Sequence, residues 1–83
     1  MKLLYFAWIR ERIGVGDEEV ELPDSVETVA DLLSWLRSRD ETYAYAFEQA
    51  ELVRVALDQT HADHADPLGQ AREVAFFPPM TGG

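Results

Sequence analysis

The chain has 83 residues, 47% hydrophobic and 28% charged, with no cysteine and with sixteen acidic against seven basic side chains, a net charge of −9. This size fits one domain with a single small core and little room for a deep internal active site, because a chain this short hides only roughly 60% of the surface its unfolded form exposes. Without cysteine there is no disulfide, no thiolate nucleophile and no sulfur ligand for a metal. The negative surface repels phosphate backbones and anionic lipid, so neither nucleic acid nor a membrane is an expected partner; it serves solubility, or steers the chain toward a basic partner surface.

Lys2 to Trp8 is apolar at nearly every position, the pattern of a strand buried on both faces and central in its sheet. The run imitates a signal peptide, but it lacks a small-residue cleavage site and is cut short by Arg10, Glu11 and Arg12. We therefore expect a cytoplasmic protein, and no apolar stretch approaches the roughly 20 residues that span a bilayer. Ile9 to Ile13 adds a short helical turn, and Gly14 and Gly16 mark a reversal. Glu18 to Leu22 alternates, with Val20 and Leu22 on one face and Glu19 and Glu21 on the other, as in a half-exposed strand ended by Pro23-Asp24.

The clearest helix comes next. Thr28 and Asp31 have the spacing of a capping box, and Val29, Leu32, Leu33 and Leu36 fall at i, i+3, i+4 and i+7, a stripe that faces the core. Arg37 and Arg39 in its last turn complement the helix dipole, and Trp35 covers the flank. Tyr43, Ala46, Phe47 and Ala50 predict a second, short helix. Leu52 to Leu57 reads as a third strand, with Val53 and Val55 opposite Arg54 and Ala56. The polar stretch from Gln59 to Ala71 is a loop with at most one short strand, and Glu73 to Phe77 is the last strand. Pro78 and Pro79 have no backbone donor, so ladder pairing stops there. These elements predict an α+β roll, a small mixed sheet packed on one main helix, with the first and last strands in the middle of the sheet. Residues 1–79 form the single domain and residues 80–83 a flexible tail.

Most candidate sites weaken on inspection. His61, Asp63, His64 and Asp66 in HADHADP offer donors for a metal, but they sit on a predicted loop with no third imidazole and no thiolate; a solvated turn is the better reading, and no metal site is expected. Paired carboxylates such as Glu18-Glu19 and Asp40-Glu41 need a cleft that separates their pKa values, and none is indicated. Ser25, Ser34 and Ser38 lack a glycine elbow. The glycines at 14, 16 and 69 do not make a phosphate cradle. Phe76 and Phe77 point to opposite faces of their strand, so one is core and the other meets a helix, a strand or a partner.

The carboxyl end remains. A final Gly-Gly arises by chance in roughly one chain in 200, and fraying is its ordinary meaning. Here two prolines end the sheet and project the last four residues away from the body. Glycines can thread a channel too narrow for any side chain. The reactive group such a tail delivers is the α-carboxylate of Gly83. Once a partner uses ATP to make it an acyl-adenylate, it can take up sulfur as a thiocarboxylate or be joined to an amine.

The opening Leu4-Tyr5-Phe6-Ala7 with Arg10-Glu11, the helix start Thr28-Val29-Ala30-Asp31-Leu32, and above all Glu73-Val74-Ala75-Phe76-Phe77-Pro78-Pro79-Met80-Thr81-Gly82-Gly83 resemble the small, sulfur-carrying subunits of molybdopterin synthase. The resemblance implies a β-grasp, ubiquitin-like fold in which the first and last strands pair in parallel. It implies that an adenylyltransferase related to ubiquitin-activating enzymes adenylates Gly83 with ATP, and that the thiocarboxylate formed there enters the large synthase subunit. Its sulfur then goes to cyclic pyranopterin monophosphate to build the molybdopterin dithiolene, within a heterotetramer. Gly82 would be the slim neighbour that passes the channel, Thr81 and Met80 tail contacts, and Phe77, Pro78 and Pro79 the shoulder where tail meets body. No cofactor is expected to stay bound, and the chain alone would be non-catalytic. Asp58 stands where relatives commonly have asparagine, and Gly69 is followed by Gln70-Ala71-Arg72 where they often have Gly-Asp. A carrier for thiamine or tRNA thiolation, or a ubiquitin-like protein modifier, would use the same tail chemistry.

Overall fold

The computed structural model describes residues 1–79. Met80, Thr81, Gly82 and Gly83, to which the tail is assigned, lie outside the described residues. In chain order the elements are β1 (Lys2–Tyr5), α1 (Ala7–Ile13), β2 (Asp17–Glu19), α2 (Val29–Arg37), α3 (Glu41–Ala46), a 3-10 turn (Ala50–Leu52), β3 (Arg54–Leu57), β4 (Thr60–Ala62) and β5 (Glu73–Phe77). One five-stranded sheet has the order β2-β1-β5-β3-β4. β1 and β5 are parallel, from Lys2 opposite Glu73 to Tyr5 opposite Phe76, and the other pairs are antiparallel. The expected α+β roll, with first and last strands inside the sheet, is the observed one.

The helices cover one face of that sheet. Leu3 and Tyr5 of β1, Val55 of β3 and Val74 and Phe76 of β5 meet Val29, Leu32, Leu33 and Leu36 of α2 in the core. Each α2 stripe residue is buried. Thr28 caps the helix as its spacing predicts: its Oγ1 accepts from Asp31 N at 3.1 Å, and Asp31 Oδ2 accepts from Thr28 N at 3.2 Å. Phe47, the residue after α3, packs edge-on against Phe76 with centroids 5.4 Å apart. Tyr5 stacks on Phe76 at 5.7 Å.

Four sequence expectations are corrected. The first strand ends at Tyr5, not Trp8, because Ala7 takes φ +52 and the chain turns into α1. A short buried strand running into a helix with Ile9 in the core produces the same unbroken apolar run as one long strand. Nor is β1 buried on both faces: Lys2 is exposed and Leu4 half-buried on the side without helices. The second strand is only Asp17–Glu19 because β1 begins at Lys2, and past Val20 there is no strand for it to pair with; Val20 and Leu22 still turn toward the core. Finally, α2 stops at Arg37, so Arg39 is not in its last turn.

Arg39 instead completes a polar clasp. Glu18 Oε1 accepts from Arg39 at 2.9 Å, while its Oε2 accepts from Tyr5 Oη at 2.9 Å and from the Tyr43 hydroxyl. One carboxylate thus ties β2 to β1, to α3 and to the chain after α2. Partial burial opposes its charge, but the three hydrogen bonds outweigh that and hold the Glu18 carboxyl below its ordinary value. Burial, with Glu18 alongside, pushes the Tyr5 phenol up strongly and the Tyr43 phenol up to about 12.

Candidate functional site

β5 has partners on both sides through Phe76, and its last residue, Phe77, is still opposite Arg54 of β3. A strand held this way gives the chain beyond it a fixed origin. Alternation sends Phe76 into the core and Phe77 to the open face, where it is 37% exposed. Pro78 and Pro79 come next, half-buried and outside any ladder. The expectation of opposite fates for the two phenylalanines holds.

The open face at this end of the sheet is concave. A groove of about 600 Å³ is lined by Phe6, Val55 and Ala56, by Arg54, Gln59 and His61, and by Ala7, Phe77, Pro78 and Pro79. Sheet register assembles it. Phe77 lies opposite Arg54, Ala75 opposite Ala56, and Ala56 opposite His61, so alternate residues of three strands share one side. Phe6 joins from the end of β1, and its ring stacks on Phe77 with centroids 4.6 Å apart and planes 7° from parallel. Phe6 N also donates to Phe76 O at 3.2 Å, which fixes the residue beside the last strand.

The shoulder residues Phe77, Pro78 and Pro79 are therefore brought together, with Phe6, Arg54 and His61 beside them. Sequence reading missed Phe6 and Arg54 as site residues. The signal was present in Arg54, whose alternation with Val53 and Val55 put it on the open face, but which strands flank it could not be read from periodicity.

The HADHADP stretch is largely exposed, as expected of a turn, but its backbone also serves the body. The carbonyls of His64 and Asp66 are turned toward the body by helix capping. Ala30 N donates to His64 O at 2.8 Å and Val29 N to Asp66 O at 3.0 Å, so loop carbonyls satisfy the first amides of α2. Leu68 N donates to Glu27 O at 2.8 Å, and His64 Nε2 donates to the Val53 carbonyl at 2.7 Å. Helix N-termini lack intrahelical acceptors, and this loop supplies them. His61 is separated from that role and lies in the groove, 4.0 Å from Asp63 Oδ1. Among the described residues no group of three or more His, Asp or Glu side chains could hold a metal ion, and no helix is long and apolar enough to cross a membrane.

A parallel β1–β5 pair at the middle of a mixed sheet, with one principal helix across it, defines a ubiquitin-like β-grasp protein. SAMP1 of Haloferax volcanii has this fold: it superposes with a TM-score of 0.72 at 25% identity, over 100% of this chain and 98% of that one. The chain belongs to the ThiS family, whose profile matches residues 3–83. Two relatives named molybdopterin synthase sulfur carrier subunit are similar over 100% of this chain and 99% of their own length, that of Escherichia coli K12 at 37% identity and that of Haemophilus influenzae at 35%.

Proposed function

We propose that the chain is the sulfur carrier of a cytoplasmic molybdopterin synthase and that Gly83 is its working residue. The observation that carries the reading is the way β5 ends: a strand locked on both sides stops at Pro78-Pro79 beside an apolar groove, four residues before the last glycine. The names of the two full-length relatives support the pathway.

In this reading an adenylyltransferase related to ubiquitin-activating enzymes docks on the body and joins the Gly83 carboxylate to AMP, releasing pyrophosphate from ATP. A sulfur donor then displaces AMP, which leaves a thiocarboxylate. The charged tail enters the large, catalytic subunit, with Met80, Thr81 and Gly82 as its contacts and Phe77, Pro78 and Pro79 as the shoulder that sets its reach. The sulfur displaces an oxygen substituent from a side-chain carbon of cyclic pyranopterin monophosphate, which leaves Gly83 joined to the substrate as a thioester; water then cleaves that acyl–sulfur bond, restoring the Gly83 carboxylate and leaving the sulfur on the substrate. Two charged carriers serve the two sulfurs of the dithiolene, in a heterotetramer. The body binds no cofactor and makes no bonds itself. Its part is to present the tail at a fixed distance from a surface the partner can grip.

The likeness to SAMP1, named a small archaeal modifier protein, favours one second reading: the activated glycine is joined to lysine amines. Intact-mass measurement of the chain from cells that hold its activating enzyme separates the two. Exchange of one oxygen for sulfur is the expected result. A population that is only unmodified or lysine-linked would overturn the carrier reading.

A further inference from the structure

Sixteen of the 83 side chains are acidic, yet among the described residues no carboxylate lines the groove at the tail root; its polar side chains are Arg54, His61 and Gln59. The chain as a whole would attract a basic surface; in the groove the sign is reversed at Arg54, while His61 stands 4.0 Å from Asp63 Oδ1. The reversal is built by the sheet, since Arg54 is held opposite Phe77 and His61 opposite Ala56. Lys2, Arg12 and Arg39 are spent on Asp17, Glu48 and Glu18. Arg54 makes no ion pair among the described residues and stands exposed beside the stacked Phe6 and Phe77 rings. An exposed aromatic pair bordered by such an arginine has the composition of an interface core.

Covering such a groove removes water from the guanidinium. Left alone, that charge makes docking costly; met by a carboxylate, it gains a bidentate pair in a lowered dielectric. We propose that Arg54 selects the partner: the protein that closes over the groove presents an apolar face with one carboxylate placed to meet the Arg54 guanidinium, inside a surface that is otherwise neutral or basic. The inference rests on the sulfur-carrier reading and adds the chemistry of the partner's docking face. A patterned surface of this kind rejects proteins that match the net charge of −9 but lack the acid at the centre.

The test measures binding of the full chain to the purified large subunit of molybdopterin synthase from the same organism, by calorimetry at two salt concentrations. Arg54→Glu is expected to weaken binding by at least about tenfold, and Arg54→Lys by less. Arg37→Glu, the same charge change on exposed α2, is the control, and circular dichroism checks that each variant is folded. A scan of the partner's exposed carboxylates to their amides should find one whose loss is not additive with Arg54→Gln in a double-mutant cycle. Equal weakening by Arg54→Glu and Arg37→Glu would mean general charge steering, and unchanged binding by Arg54→Glu, or no coupled carboxylate, would mean no such pair; any of these overturns the inference alone. Failure of the unaltered chain to bind the large subunit would instead remove the carrier reading for that synthase, and this inference with it.

Discussion

Phe6 and Phe77, at the ends of the two parallel strands β1 and β5, stack face to face at 4.6 Å on the open side of the sheet. Both remain more than a third exposed, at 40% and 37%. An aromatic pair of this kind is worth about 0.5 to 1.5 kcal/mol to the fold, whereas an aromatic anchor at the centre of an interface costs about 2 kcal/mol or more when truncated. Phe77→Ala should therefore lower unfolding stability by about 1 kcal/mol and weaken docking of the large subunit by more than that. Denaturant melts and calorimetric titration of the same variant give both numbers. Equal losses, or a larger loss in stability, would make Phe77 a core residue and not a docking one.

The Glu18 clasp gives the fold a pH signature. The folded-state carboxyl lies below its ordinary value, so its contribution is complete above the unfolded value of about 4.3 and disappears as pH falls through the folded value. The Asp31 carboxyl, held low by the Glu27 and Thr28 amides, acts in the same direction. Stability should thus fall below about pH 4, and Glu18→Gln should flatten part of that slope without removing it. On the alkaline side the phenols of Tyr5 and Tyr43 are raised; their contribution is present below about pH 10, the unfolded value, and is lost as pH rises toward and past about 12. Thermal midpoints measured from acid to alkaline pH would show a plateau between these limits, and a Glu18→Gln curve parallel to the parent's would refute the assignment.

How much of this was legible depended on whether local chemistry or pairing decided the outcome. The α2 stripe, its Thr28–Asp31 cap and the β5 boundaries were readable because side-chain period, capping geometry and proline all act within a few residues. The end of β1 at Tyr5 was not, since it turns on Ala7 adopting a left-handed conformation that alanine rarely takes. The inward side of Glu18 was hidden for another reason. Alternation placed it with Val20 and Leu22, but its partners Tyr5, Tyr43 and Arg39 come from three distant segments. The groove needed the β3–β5–β1 order, which no single strand encodes.

Asp58 stands at a position whose backbone asparagine would also accept. It sits at φ +47, a conformation that Asn and Asp tolerate better than other side chains. Its Oδ1 accepts from both Arg72 N and Glu73 N at 3.0 Å, which fastens the start of β5. Asn also has an Oδ1 acceptor, so Asp58→Asn should change stability by less than about 0.5 kcal/mol. Asp58→Ala loses both hydrogen bonds and the tolerance for positive φ, and should cost about 1 to 3 kcal/mol. Urea unfolding of the two variants checks this; a similar loss in both would show that the charge, and not the acceptor geometry, holds the strand.

The separation between a body that folds and a terminus that reacts can be tested with two changes of opposite effect. Leu33 is 3% exposed in the α2 stripe, so Leu33→Ala should cost about 2 to 5 kcal/mol, the range for emptying a packed leucine site. The variant that remains folded should still accept sulfur. The core among the described residues runs from Leu3 to Phe76; in the carrier reading, deleting Gly83 should leave the thermal midpoint nearly unchanged while abolishing thiocarboxylate formation, because the acyl carbon at the end of the right-length tail is gone. Differential scanning calorimetry gives the first half and intact mass after reaction with ATP, the activating enzyme and a sulfur donor gives the second. A deletion that melts the body, or one that still gains sulfur, would contradict the division of labour on which the carrier reading stands.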